Sequence, residues 1–251
     1  MGNVFNYQRV HSEPLGTRAE FRDSRDVLQK LKPDDPVYLF NRDHLAKRAI
    51  DFQAQFPGLV SYAVKANARN RVLRTLIEQG IDNFDVASIS EIRRLRALNS
   101  GVQIHFNNPV KSQAAVASAC HEYGVRSFAL DDAPELEKIL EACTAPAQLM
   151  LSVRFKLDSH QAAFDFGSKF GATAEQAVGL LKAIDQAGAK VALTFHPGSQ
   201  CTEPNEYRRY IIAAAEIASA AKVSLAQLNV GGGFPEYYAN TLIIMWLARS
   251  G

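Results

Sequence analysis

Lys65 ends the apolar stretch Leu59-Val60-Ser61-Tyr62-Ala63-Val64. A lysine at such a strand end points into or just above the mouth of a strand bundle, and burial there lowers its pKa. The neutral amine is the nucleophile that Schiff-base chemistry needs. The same side chain could instead snorkel from the strand end to solvent. Asp85 lies inside Asn83-Phe84-Asp85-Val86-Ala87-Ser88, and Arg154 closes Leu149-Met150-Leu151-Ser152-Val153. A charge in an apolar strand is costly unless it is paired. The two could pair across one mouth, or each could belong to a structural ion pair.

His196 ends Val191-Ala192-Leu193-Thr194-Phe195 and precedes Pro197-Gly198-Ser199-Gln200. It reads either as a satisfied structural histidine or as a flat ring beside an anion site. The Ser199 hydroxyl and the amides of the turn would serve the anion. Gly231, Gly232 and Gly233 follow Asn229-Val230. Three glycines after a parallel strand let backbone approach a ligand and turn N–H groups toward phosphate. A plain loop is the other reading.

The elements that must carry these residues alternate. Strands are expected at 59–64, 83–87, 103–106, 127–130, 148–155, 190–195 and 227–230. Helices are expected at 42–55, 71–79, 89–98, 112–123, 134–142, 174–187 and 206–221. Asn70 and Ser112 are expected N-caps, and Gly80, Gly101, Gly124 and Gly188 expected C-terminal stops. The first five strand starts are about 20–24 residues apart, the rhythm of βαβ units and a parallel sheet. Both strand faces are apolar, as in a sheet covered on two sides. Seven such units predict most of a (β/α)8 barrel. A doubly wound open sheet would carry its glycine-rich turn after the first strand. Here Lys65-Ala66-Asn67 stands there, and the glycines follow the last strand.

Composition narrows the function. The 251 residues carry 28 Lys plus Arg against 26 Asp plus Glu, so no broad field draws the chain to nucleic acid or an acidic membrane. With 47% hydrophobic and 22% charged residues, a mainly disordered chain is excluded. The longest strongly apolar run, 242–248, is far short of the roughly 20 residues of a spanning helix. The N-terminus has no apolar core of signal-peptide length, and Cys120, Cys143 and Cys201 form neither a disulfide framework nor a metal cluster. A cytoplasmic setting is expected, with no metal site.

Five segments together carry a resemblance: Tyr62-Ala63-Val64-Lys65-Ala66-Asn67; Phe84-Asp85-Val86-Ala87-Ser88 with Glu91; Lys169-Phe170-Gly171; His196-Pro197-Gly198-Ser199-Gln200; and Gly231-Gly232-Gly233-Phe234-Pro235. In this order and spacing, over roughly 37–238, the chain resembles the ornithine/diaminopimelate/arginine decarboxylases. These are pyridoxal-phosphate enzymes with an alanine-racemase-like barrel. Cys201-Thr202-Glu203-Pro204 is most similar to the ornithine decarboxylase branch. The resemblance implies pyridoxal 5'-phosphate as cofactor, carried by Lys65. It implies that His196 stacks on the ring and that Ser199, Gly231, Gly232 and Gly233 hold the phosphate. Asp85 and Arg154 would order the site around Lys65. Decarboxylation of a small-molecule amino acid, ornithine to putrescine in polyamine synthesis, and a homodimer follow from the same resemblance.

Two departures stand out. Pro197 replaces the aliphatic residue that commonly follows the histidine in the family. The family also continues past residue 251, with an eighth strand bearing Glu-Pro-Gly-Arg and a β-rich domain. Three segments are therefore expected: irregular 1–36, a partial cofactor-binding barrel over 37–240, and an atypical tail over 241–251. The chain is expected to be a C-terminally truncated member, poorly active and poorly folded alone. Lysine or diaminopimelate decarboxylation is the alternative activity. A non-catalytic regulatory relative and a cofactor-binding single-domain barrel are the other classes.

Overall fold

The computed structural model describes residues 24–32, 40–157 and 170–235. Lys169, 236–240 and the tail 241–251 lie outside the described residues. The chain divides into a unit of residues 1–41 and one of residues 42–251. In the first, α1 (Ser24–Leu31) is a helix within the stretch expected to be irregular. Its Lys30 ammonium meets Asp26 at 2.9 Å, one turn apart.

The second unit runs α2 (Arg42–Gln55), β1 (Ser61–Ala63), α3 (Asn70–Glu78), β2 (Asn83–Val86), α4 (Ile89–Leu98), β3 (Gln103–Phe106), α5 (Gln113–His121), β4 (Ser127–Leu130), α6 (Ala133–Ala142), β5 (Met150–Arg154), α7 (Ala174–Gln186), β6 (Lys190–Thr194), α8 (Pro204–Ala221) and β7 (Gln227–Asn229). Every expected strand and helix of this unit is present: α2, α4, β3 and β4 have the expected ends, and the others differ by one or two residues. All strand pairings are parallel, and the seven strands lie in the order β1-β2-β3-β4-β5-β6-β7. Strictly sequential order is that of a βα-barrel, because a doubly wound sheet reverses direction at its first strand.

The sheet curls. In a flat sheet, six interstrand steps of about 4.8 Å would hold β1 and β7 roughly 29 Å apart. Instead Phe234, just after β7, packs its ring edge-on to Phe52 of α2 and to Phe56, the residue that follows it, with centroids 5.5 and 6.0 Å away. The same ring stacks on Tyr207 of α8 at 5.2 Å. An aromatic clasp therefore ties the last described strand to the helix that precedes the first.

The core follows the burial pattern. Every residue of β4 is buried, as are the central three of β5. Phe84, Phe106, Phe128, Phe155 and Phe195 are among the largest fully buried side chains, one in or just after each of β2 to β6. β1 and β7 are only half-buried, so the two-sided apolar character expected of all strands holds for the inner ones.

Helix ends follow local chemistry. Ser112 caps α5 through the Ala115 amide, and Asp132 caps α6 through Ala133. Thr173 and Gln176 form a reciprocal capping box on α7. Asn70 is not a cap: it is the first residue of α3, and Arg69 occupies the cap position. The turn-forming side chain there is Asn67, whose Oδ1 accepts the Arg69 amide at 3.1 Å. Gly80, Gly124 and Gly188 follow helices with φ of +85°, +64° and +77°. Gly101 is not such a stop, because α4 ends through an extended Asn99 whose Oδ1 accepts the Gly101 amide.

Candidate active site

The C-terminal ends of the strands collect the expected residues. Lys65 lies not in β1 but in the 3-10 turn that follows it, Val64–Ala66. Val64 is fully buried, while Lys65 is exposed. The expected burial of its amine is therefore corrected. The backbone leaves the sheet one residue early, and the Lys65 side chain stays in solvent at the mouth, near enough to His196 for its charge to act there.

Asp85 sits in β2, in register with Ala63 of β1 and His105 of β3. The Ser61 hydroxyl donates to its Oδ1 at 2.7 Å. Glu91, beside this strand end, serves the backbone: its carboxylate accepts the Ala87 amide at 2.6 Å while Ser88 Oγ accepts the Glu91 amide. That is a variant of the capping box.

Arg154 ends β5, and its guanidinium lies over the Phe170 ring, 5.7 Å from the centroid. Burial lowers its pKa, opposed by the charge of Asp131. Asp131 Oδ2 also accepts the Gly171 amide at 2.8 Å. Ala172 donates to the Arg154 carbonyl at 2.9 Å and accepts from Lys156 at 3.0 Å. The chain that leaves β5 thus comes back against the same strand end, held by Asp131.

His196 is held in one protonation state. The Gly198 amide donates to its Nδ1 at 3.1 Å, so the proton of the neutral ring is on Nε2. Burial, then the charges of Arg154 and Lys65, push its pKa down to about 4. Lys65 follows β1 and Arg154 ends β5, so charges from far-separated strands converge on one ring after β6.

The loops after β6 and β7 interlock. Gly198, Gly231 and Gly233 have φ of +125°, +69° and +94°. A Cβ on Gly231 would fall 2.2 Å from the Phe195 carbonyl oxygen, and one on Gly233 would fall 1.9 Å from that of Gly198. The Cys201 amide donates to the Gly233 carbonyl at 2.8 Å, and the Tyr207 hydroxyl to that of Gly232 at 3.0 Å. The Gly231 amide is committed to Asn229 Oδ1 at 2.8 Å. Gly232 has no atom near its absent side chain. Ser199 lies half-buried in the same turn.

Some residues here were not expected. His105 spans three strands: Nε2 meets Asn83 Oδ1 at 3.0 Å and Nδ1 meets Ser127 Oγ at 2.9 Å. Asn83 gives its amide hydrogens to Asp82, which turns its oxygen to His105 and places the proton on Nε2. Burial lowers the pKa of His105, opposed by Asp85. Asp131 is the other. In Asp131-Asp132 the second acid caps a helix, which leaves the first, at a strand's C-terminal end, for the mouth. Among the described residues no group of three or more His, Cys, Asp or Glu could hold a metal ion, and no helix is long and apolar enough to cross a membrane.

A sequential parallel sheet with a basic mouth and a glycine cradle at its last strands defines a βα-barrel of the phosphate-binding kind. Residues 42–243 match the model for the pyridoxal-binding domain of pyridoxal-dependent decarboxylases, and the chain belongs to that family. It is 34% identical over 232 residues to a lysine/ornithine decarboxylase of Selenomonas ruminantium, covering 90% of this chain and 55% of the relative. It is 32% identical over 208 residues to an ornithine decarboxylase of Panagrellus redivivus, covering 80% and 47%. The arginine decarboxylase of Paramecium bursaria Chlorella virus, solved with agmatine, superposes with a TM-score of 0.74 at 28% identity, covering 84% of this chain and 57% of that one. The chain thus spans about half the length of the curated relatives it matches.

Proposed function

We propose that this chain is the cofactor-binding part of a pyridoxal-phosphate-dependent decarboxylase of a basic amino acid, with ornithine the first choice of substrate. The observation that carries it is the cradle formed by Gly198, Gly231 and Gly233 beside His196. Backbone approaches so closely at Gly231 and Gly233 that no side chain fits, Gly198 adopts a positive φ, and a neutral ring flanks them. These residues suit a flat, phosphate-bearing ligand. The phosphate falls to the Ser199 hydroxyl and the amides of Gly232 and Gly233, since the Gly231 amide already serves Asn229. Gly231 instead supplies the close approach. His196, neutral and fixed in tautomer, would pack against the pyridine ring without adding charge. The exposed Lys65 amine is the group that attaches the cofactor. Asp85, oriented by Ser61, and Arg154, backed by Asp131 and Phe170, order the charges around it. When bound, the pyridine ring accepts the electron pair left on the substrate's α-carbon as carbon dioxide departs.

Ornithine is preferred on the names of several relatives; the Selenomonas relative's name puts lysine beside it. A homodimer, which the resemblance implies, belongs to the same reading. The test incubates the chain with pyridoxal 5'-phosphate, reduces with borohydride and maps the peptides. Label on Lys65 is expected; label only on other lysines sinks the reading. Carbon dioxide release from ornithine, lysine, diaminopimelate and arginine, by a protein extended to the relatives' length, decides the substrate. Fastest turnover of any but ornithine overturns that choice.

A further inference from the structure

Two of the three cysteines meet on the outside of the barrel, away from the mouth. Cys120 lies in the last turn of α5, and Cys143 is the residue that ends α6. They are 5% and 1% exposed. Both line one small recess of about 50 Å³, together with His121, Arg126, Thr144, Ala145 and Leu149. The Arg126 guanidinium donates to Cys120 Sγ at 3.3 Å and to the Cys120 carbonyl at 2.8 Å. Nothing in the decarboxylase reading uses this pair.

We infer that Cys120 and Cys143 form an oxidisable dithiol, a modification site at which a peroxide closes an intrachain disulfide between the ends of α5 and α6. The recess gives a peroxide room to reach the paired sulfurs. Burial and its hydrogen bond to Cys120 push the Cys143 pKa up to about 12, so Cys143 keeps its proton. A protonated thiol reacts slowly, which makes Cys143 the sulfur that resolves. Cys120, held in the recess by the Arg126 guanidinium at 3.3 Å, is the sulfur that meets the peroxide first. In the first step the Cys120 sulfur attacks one peroxide oxygen, the O–O bond breaks, and the other oxygen leaves as water, giving a sulfenic acid. In the second the Cys143 sulfur displaces that oxygen as water, forming the S–S bond. The two thiols lose two electrons and two protons, the peroxide gains them, and two waters result. Cys201 is the internal comparison: burial and the Glu206 and Glu203 carboxylates raise its pKa against its hydrogen bond to the Glu203 carbonyl, and it lies outside the recess.

The experiment treats the whole folded chain with dilute hydrogen peroxide, blocks remaining thiols with iodoacetamide, and maps the peptides without reduction. The expected result is a Cys120–Cys143 linked peptide, an intact mass lower by two hydrogens, an alkylated Cys201, and full reversal by dithiothreitol. In Cys143→Ser, the trapping reagent dimedone should mark Cys120; in Cys120→Ser, no label should appear on Cys143. Free, alkylatable Cys120 and Cys143 after oxidation, a linkage seen only in urea-unfolded chain, or Cys201 oxidised ahead of both would overturn the assignment. The wild-type result stands whether or not the serine variants fold, and none of these readouts depends on cofactor.

Discussion

Gly233 comes so close to Gly198 that a Cβ on Gly233 would lie 1.9 Å from the Gly198 carbonyl oxygen, and its φ of +94° is one that side chains disfavour. A side chain at Gly233 would part the loops that follow β6 and β7, and the Gly198 φ of +125° is one that side chains also disfavour. Gly233→Ala is expected to cost roughly 2–4 kcal/mol, from strain and overpacking together. It should also abolish pyridoxal-phosphate binding. Gly232→Ala, with open space around it, should stay within about 0.5 kcal/mol of wild type. Urea unfolding of both variants checks this, and equal losses would refute the cradle.

His196 makes the acid limb of stability steeper. Its folded pKa of about 4 lies below its ordinary 6.5, so between those values the unfolded chain binds more protons than the folded one. Stability from this group is complete above 6.5 and declines as pH falls toward 4. His196→Asn keeps an acceptor for the Gly198 amide but cannot titrate. The difference between the two urea-midpoint profiles should grow in that window. An NMR titration of the His196 ring with a midpoint near 6.5 would contradict it.

A buried ion cluster joins the loop between β3 and α5 to α6. The Lys111 side chain is 0% exposed, and its ammonium meets Glu135 at 3.0 Å and the carbonyls of Ala129 and Asn108 at 2.6 and 2.8 Å. Burial works against both charges; Lys138 and Lys111 still hold Glu135 below its ordinary pKa, while burial keeps Lys111 below its own. Glu135→Ala strands the ammonium and should cost about 3–5 kcal/mol, more than Lys111→Met. The Glu135→Ala variant should also gain stability from pH 7 to 9, because its Lys111 folds more readily without the proton that the unfolded chain keeps. Flat pH dependence would reject that account.

The Asn83–His105–Ser127 chain is fully satisfied, so breaking it at one end exposes the cost of the rest. Ser127→Ala leaves His105 Nδ1 without its hydroxyl and should lose about 1–3 kcal/mol. Ser127→Ala combined with His105→Leu should recover part of that loss. A double-mutant cycle measures it, and strict additivity would show that the bonds are independent.

Much of this was written locally and could be read there. The βα rhythm survives in the sequence because each strand is a short apolar run between turn glycines and caps, as at Ser112 and Gly124. His196 and the glycine triplet were legible because special backbone needs special residues. The burial expected of Lys65 fails because exposure depends on where the chain leaves the sheet, which one residue of 3-10 turn decides. His105 carried the same signal as Asp85, a polar residue inside an apolar strand. Its partners, however, come from β2 and β4, and only register brings them together. The helix over Ser24–Leu31 was hidden by its polar surroundings.

The sequential sheet has a kinetic consequence. Each described strand pairs only with its neighbours in the chain, at separations from 20 residues (Asn83 with Gln103) to 40 (Met150 with Lys190), so no ladder joins the two ends of the described sheet. The barrel can therefore grow in the order of synthesis, with each βα unit docking on the last. The aromatic clasp of Phe234 on Phe52 and Phe56 is the exception, because it joins opposite ends of the described barrel. It can form only after all seven strands are in place, so it is the contact that reports completion.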